Sequence, residues 1–204
     1  MSGLQLLAVA HFDGGHPALP DGVEEVAVRD LAALAVAAPF ARMEPSAQDV
    51  ERYRAVVEAV FREHPVLPAP LGTVFRSREQ LQRWLELHYS TLSEGLAFVG
   101  ERQVARVHVA RRTSDPAERE EGTDLAETAA EIIRTLRRQA VAVLPLRTEH
   151  LTGIVVSSAF LVERDLWQAF AESVETERQR HPNLDVRLTG PWPAYDFVRM
   201  QLAS

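Results

Sequence analysis

The stretch from Gln103 to Thr189 constrains the fold most, because its hydrophobic period alternates between two and 3.6 in a fixed order. "QVARVHVAR" (103–111) alternates apolar and polar residues, the mark of a half-buried strand. Leu125, Ala129, Ile132, Ile133, Leu136 and Ala140 then recur on one helical face, with Asp124 and Glu127 suited to cap its start. "VAVLPLR" (141–147) and "GIVVSSAFLV" (153–162) read as strands joined by a short loop. Asp165 to Arg180 predicts a helix burying Leu166, Phe170 and Val174, and "LDVRLT" (184–189) is a closing strand. The order β-α-β-β-α-β is the split-βαβ, or ferredoxin-like, arrangement. An antiparallel sheet with two helices on one face accommodates both the half-buried strands and the amphipathic helices.

The first hundred residues follow a different rhythm. "LQLLAVAHF" (4–12) is a buried-strand pattern that stops at the turn-forming Asp13-Gly14-Gly15. Residues 23–39 look like a hairpin hinged near Arg29-Asp30, although the alanine-rich 31–38 could also be helical. From Ser46, a candidate N-cap, Val50, Tyr53, Val57, Val60, Phe61 and His64 share a helix face that Pro65 ends. "VLPAPLGTVF" (66–75) is a proline-broken extended segment. A second helix begins at Ser77, whose spacing to Gln80 makes a capping box. Its stripe of Leu81, Trp84, Leu85, His88, Leu92, Leu96 and Val99 runs to Gly100. "VLP" occurs after a helix at both 66–68 and 143–145, three shared residues that could mark related helix-to-strand junctions.

A length of 204 residues suits one large domain or two of roughly 100 residues. We therefore expect an α+β chain of two domains. Residues 1–100 form a smaller α+β unit, and 101–204 form a ferredoxin-like domain with a terminal extension. A formal charge of −7 offers no global attraction to nucleic acid or to anionic membranes. All 22 basic residues are arginine, which excludes Schiff-base chemistry and a phosphate-binding lysine. No cysteine means no disulfide, thiolate ligand or thiol nucleophile. The apolar run at the N-terminus is too short for a signal or a membrane span, so the expected location is the cytoplasm.

Chemistry-bearing motifs are sparse. The sequence has no G-x-S-x-G elbow, no phosphate loop, no H-E-x-x-H and no G-x-G-x-x-G. His11, Asp13 and His16 are the nearest approach to a zinc ligand set, but a polar hairpin turn accounts for them. His64 and His88 lie on apolar helix faces, where a hydrogen-bonded boundary histidine is expected. Arg106 and His108 share the outward face of a strand. Ser157 and Ser158 sit in a buried strand with no base nearby in sequence. The acidic run Glu118, Glu120, Glu121 and Asp124 reads as a solvated loop rather than a calcium site. The strands lack the paired aromatics of RNA-recognition modules. No catalytic residue, metal or cofactor is expected.

"TGPWPAYDFV" (189–198) stands apart. Gly190, Pro191, Trp192 and Pro193 make a rigid kink, and Tyr195 and Phe197 follow at strand spacing. With "AFLVERD" (159–165) and "VLPAPLGTVF" (66–75), this segment resembles the gas vesicle F/L protein family. That family's closing motif is Thr-Gly-Pro-Trp-Pro-Pro-Tyr-Ser-Phe-Val, and its first-domain segment is Val-Leu-Pro-Leu-Arg-Phe-Gly-Thr-Val-Phe. Here Pro70 stands where the family usually has arginine, Leu71 replaces phenylalanine, and Ala194 and Asp196 replace proline and serine. Losing the arginine removes a planar fork of donors, whereas Trp192, Tyr195 and Phe197 are retained.

The resemblance implies two domains with a ferredoxin-like second one. It further implies a non-enzymatic accessory or minor structural protein of gas vesicle assembly, located with the vesicle. Its partners would be the hydrophobic shell protein and other accessory proteins, with neither nucleic acid nor membrane involved. Gly190, Pro191, Trp192, Pro193, Tyr195 and Phe197 are the candidate partner-binding or structural residues. An alternative reading is a ferredoxin-like regulatory module that binds a small molecule in a concave pocket.

Overall fold

The computed structural model describes residues 2–12, 15, 17–40, 45–112, 122–148 and 153–198. The chain is α+β and divides into two compact units. One comprises residues 1–101 together with the closing segment from Pro193, and the other is Arg102–Trp192. No helix among the described residues is long and apolar enough to cross a membrane.

The first unit is built on β1 (Ser2–His11), whose buried run pairs antiparallel with β3 (Leu31–Pro39) on one side. On the other side it pairs with the short β4 (Val66–Pro68) and β5 (Val74–Phe75). β2 (Val23–Val28) completes the sheet on the far edge of β3. The alanine-rich 31–38 is therefore strand. Pairing on both edges satisfies its backbone, and that tertiary gain overrides alanine's preference for helix. The two-residue turn places Arg29 at φ 57, and α3 (Tyr89–Gly100) steadies it. The Tyr89 hydroxyl donates to Asp30 Oδ1 at 2.6 Å, and the Arg29 guanidinium lies 4.5 Å from the Tyr89 ring centre.

α1 (Ala47–Phe61) starts in a complete capping box: Ser46 Oγ accepts from the Asp49 amide, and Asp49 accepts from the Ser46 amide. Val56, Val57 and Val60 pack on Leu7, Leu34 and Val66. Val56 was not in the expected stripe; it lies about 100° from Val57 and widens the buried face, while Val50 in the first turn stays 39% exposed. Val66 belongs to this cluster, and its neighbour Leu67 turns to the other face, where α3 approaches. A Cβ on Gly95 would come within 3.1 Å of the Leu67 side chain. Helices thus cover both faces of the sheet. The single helix expected from Ser77 to Gly100 is in fact two, α2 (Arg78–Leu87) and α3. His88 at φ −101, ψ 11 leaves the helical region between them, and its Nδ1 donates to the Trp84 carbonyl at 2.8 Å.

The second unit runs β6 (Arg102–Arg111), α4 (Gly122–Arg137), β7 (Ala142–Pro145), β8 (Ile154–Glu163), α5 (Trp167–Arg180) and β9 (Leu184–Trp192). The antiparallel order β7-β8-β6-β9 is the ferredoxin-like sheet. Ala105, Val107, Val109, Phe160 and Val186 face Ile132 and Leu136 of α4 and Phe170 and Val174 of α5. The rings of Phe160 and Phe170 sit 5.3 Å apart. Leu166 is 47% exposed rather than buried, because Arg164–Leu166 form a 3₁₀ turn. The α-helical phase begins only at Trp167, which packs on the core instead. Residues 113–121 of the charged loop lie outside the described residues, as do the side chains of residues 122–124, including the proposed Asp124 cap.

Replacing Ser46 with alanine removes one partner of an intact capping box. It should cost about 1 kcal/mol, read as a lower urea midpoint with an unchanged denaturant slope.

Candidate functional site

The closing segment is strand first and turn second. β9 continues past Thr189 through Gly190 and Pro191 to Trp192, which pairs with Val104 of β6. The register shifts between Val104 and Arg106, so the kink is an irregularity in an edge strand, where prolines without N–H donors are tolerated. Gly190 is at φ +128, and its peptide bond to Pro191 is cis. A Cβ there would lie 2.7 Å from the Val104 carbonyl oxygen and 3.0 Å from Trp167 Cη2. It would also sit 3.3 Å from Trp192 Cδ1, so the backbone passes between two indoles against a carbonyl where no side chain fits. Trp192 is half-buried and donates from Nε1 to Thr189 Oγ1 at 3.3 Å.

From Pro193 the chain becomes a compact turn of the first unit. Tyr195, Phe197 and Val198 donate backbone hydrogen bonds to Pro193, Ala194 and Ala194 respectively, and Pro193 and Ala194 are buried. Tyr195 packs on the α1 cluster, its ring 6.0 Å from that of Tyr53. Tyr53 in turn donates to the Ala69 carbonyl at 2.8 Å, and burial pushes its phenol up to about 12. The six candidate residues are divided between the two units. Gly190, Pro191 and Trp192 end the ferredoxin-like sheet, and Pro193 and Tyr195 fill the first unit, while Phe197 is half-buried in the turn.

The fold also assembles a pair that local sequence could not show. His108 on β6 lies opposite Ser157 on β8, and its Nδ1 is 2.8 Å from Ser157 Oγ. Burial first, then the neighbouring Arg106 and Arg187 charges, hold the His108 imidazole below its ordinary pKa. Ser157 is 3% exposed, so this serine–histidine contact satisfies a buried hydroxyl and leaves no room for a substrate. On β9 the Asp185 carboxylate is engaged by Arg187. The signal for the pair was in the strand phase alone, since residues 106 and 108 share the face opposite Val107.

Other candidates fall into structural roles. His64 meets Phe12 edge-on with ring centres 5.0 Å apart. His11 Nε2 lies 3.4 Å from Asp30 Oδ2. Asp13 and His16, the remaining members of the possible zinc set, lie outside the described residues, as do Glu118, Glu120, Glu121 and the side chain of Asp124. Among the described residues no group of three or more histidine or carboxylate side chains is placed to hold a metal ion.

The sequence model of the gas vesicle synthesis protein GvpL/GvpF family matches residues 13–124 and 100–199. Gas vesicle protein F2 of Halobacterium salinarum is 28% identical over 160 residues, covering 76% of this chain and 70% of that protein. Gas vesicle protein F1 of the same organism is 24% identical over a similar span, 77% of this chain and 72% of that protein. Two crystal structures share the fold. GvpF from Anabaena superposes with a TM-score of 0.79 at 15% identity, over 99% of this chain and 100% of that one. GvpF from Microcystis aeruginosa gives 0.75 at 16% identity, over 97% and 99%.

Gly190→Ala should destabilise the ferredoxin-like unit by about 2 kcal/mol or more, because it adds backbone strain to a clash with a carbonyl. Denaturant unfolding followed by tryptophan fluorescence measures it. Two pH dependences follow from the buried groups. The stability contributed by the protonated Tyr53 phenol is complete below pH 10 and is lost as pH rises through about 12. Tyr53→Phe should remove that alkaline loss. His108 stays neutral in the fold, so its contribution is complete above pH 6.5 and is lost as pH falls below it. His108→Gln should flatten the acid limb of the stability profile.

Proposed function

Because this chain belongs to the gas vesicle synthesis protein GvpL/GvpF family, we propose that it is a non-enzymatic accessory or minor structural protein of vesicle assembly. In this reading it binds the hydrophobic shell protein, other accessory proteins, or both, and it resides with the vesicle. The observation that carries the reading is the family match, which runs from residue 13 to residue 199 and so takes in both units.

The end of β9 is the contact we favour. Thr189, Gly190 and Pro191 are exposed there beside the half-buried Trp192, on the outer edge of a sheet. An edge of this kind offers unpaired backbone groups to an incoming strand, and the indole offers an apolar anchor. Tyr195 and Pro193 act as anchors that hold the segment to the first unit rather than as contacts.

Co-expression of the tagged chain with the shell protein, followed by pull-down, tests the assignment. A complex is expected, and deletion of the chain's gene should lower vesicle yield. Trp192→Ala should weaken capture about tenfold, the loss of one anchor residue, while Tyr195→Ala should act mainly through lowered stability. No complex together with normal vesicle yield after deletion would overturn the assignment. A destabilised Trp192→Ala protein that still captures the shell protein would confine Trp192 to packing.

A further inference from the structure

The first unit contains a cleft that plays no part in the closing segment. It has a volume of about 310 Å³ and lies between the end of β1, the β2–β3 turn and the last turns of α3. Its polar lining is His11, Asp30, Ser93 and Glu101, and Leu31, Pro65 and Leu96 supply apolar wall. We propose that this cleft binds an alkylammonium group, with the cationic head between Asp30, Ser93 and Glu101 and the methylene stem against Leu31, Pro65 and Leu96.

Three observations independent of one another support this. The Asp30 carboxylate is fixed in place, accepting from the Tyr89 hydroxyl at 2.6 Å with His11 Nε2 at 3.4 Å. That hydrogen bond, above all, also holds its carboxyl below the ordinary range, so it is ionised at neutral pH. Ser93 Oγ is buried with no hydrogen-bond partner, an arrangement that costs free energy until a donor arrives. The apolar wall suits a hydrocarbon stem, as such sites commonly combine apolar lining with a few placed polar groups.

The charge of the lining selects the ligand class. Its two carboxylates disfavour anions, and the lining contains no arginine to offset them. The Arg29 guanidinium nearby is stacked on the Tyr89 ring. The histidine and carboxylates of the cleft do not form a cluster able to hold a metal ion. A primary ammonium instead brings three N–H donors that can be shared among Asp30, Glu101 and the Ser93 oxygen, and a flexible stem. The same chemistry is carried by a free alkylamine and by a lysine side chain of another protein.

Amide chemical shifts of the full-length protein at pH 7, followed during titration with n-butylammonium chloride, test it. Saturable shifts at Asp30, Ser93 and Glu101 are expected, with no saturable response to sodium butyrate or n-butanol. The Asp30→Asn/Glu101→Gln double variant should bind about tenfold more weakly or worse, having lost both charge-assisted acceptors. Should that variant fail to fold, Glu101→Gln alone, at the helix end, should still weaken binding measurably. Absence of saturation, equal binding of n-butanol, or variants that bind n-butylammonium like the parent would each overturn the proposal. A blocked pentapeptide with one central lysine separates the sources. Tighter binding than n-butylammonium assigns the site to a protein lysine, and equal or weaker binding assigns it to a free amine; either outcome upholds the ammonium site.

Discussion

The second unit depends on the double pairing of β6. This strand gives one edge to β8 and the other to β9, and its inward residues Ala105, Val107 and Val109 are fully buried beneath the two helices. Its outward residues carry the remaining constraints. His108 meets the hydroxyl of Ser157, and the carbonyl of Val104 approaches so closely that position 190 can hold only glycine. A single strand thus sets the core, the one serine–histidine contact described here and the shape of the closing kink. The sheet order then follows, because a strand buried on both edges must be central and the proline-bearing strand can lie only at an edge.

The first unit is organised differently. Its central strand β1 has helices over both faces, so the alternation of Val66 and Leu67 matters: one meets the α1 cluster and the other meets α3. Tyr195 enters this arrangement from the far end of the sequence and packs beside Tyr53. The segment from Pro193 thereby belongs to the first unit. Of the three aromatics of the closing motif, Trp192 is half-buried at the sheet edge, Tyr195 packs in the first unit and Phe197 is half-buried in the turn.

Much of this was legible in the residues. The period changes between Gln103 and Thr189 name the ferredoxin-like order, since burying one face leaves each segment little choice of element. Ser46 with Asp49 and Ser77 with Gln80 mark helix starts, because caps are local hydrogen bonds. The hairpin at 23–39 was legible too, with its hinge at Arg29-Asp30, and pairing on both edges of β3 excludes the helix that the alanines of 31–38 also allow. The segments that misled were those whose state is set from outside. The stripe from Leu81 to Val99 looks continuous, yet the chain leaves the helical region at His88, whose backbone N–H and ring Nδ1 both donate to the Trp84 carbonyl. Leu166 matched a helical phase that begins one residue too late to bury it.

The sequence by itself determined the α+β class, the ferredoxin-like element order and, through the stretches 66–75, 159–165 and 189–198 together, the family, because each of these rests on local period or on contiguous motifs. Only the tertiary structure decided which residues meet. His108 and Ser157 are 49 positions apart, and Tyr53 and Tyr195 are far more distant. Asp30 is brought to Tyr89, Ser93 and Glu101 only by the packing of a hairpin turn against a helix. Strand register and helix docking select these partners, and no local period encodes them.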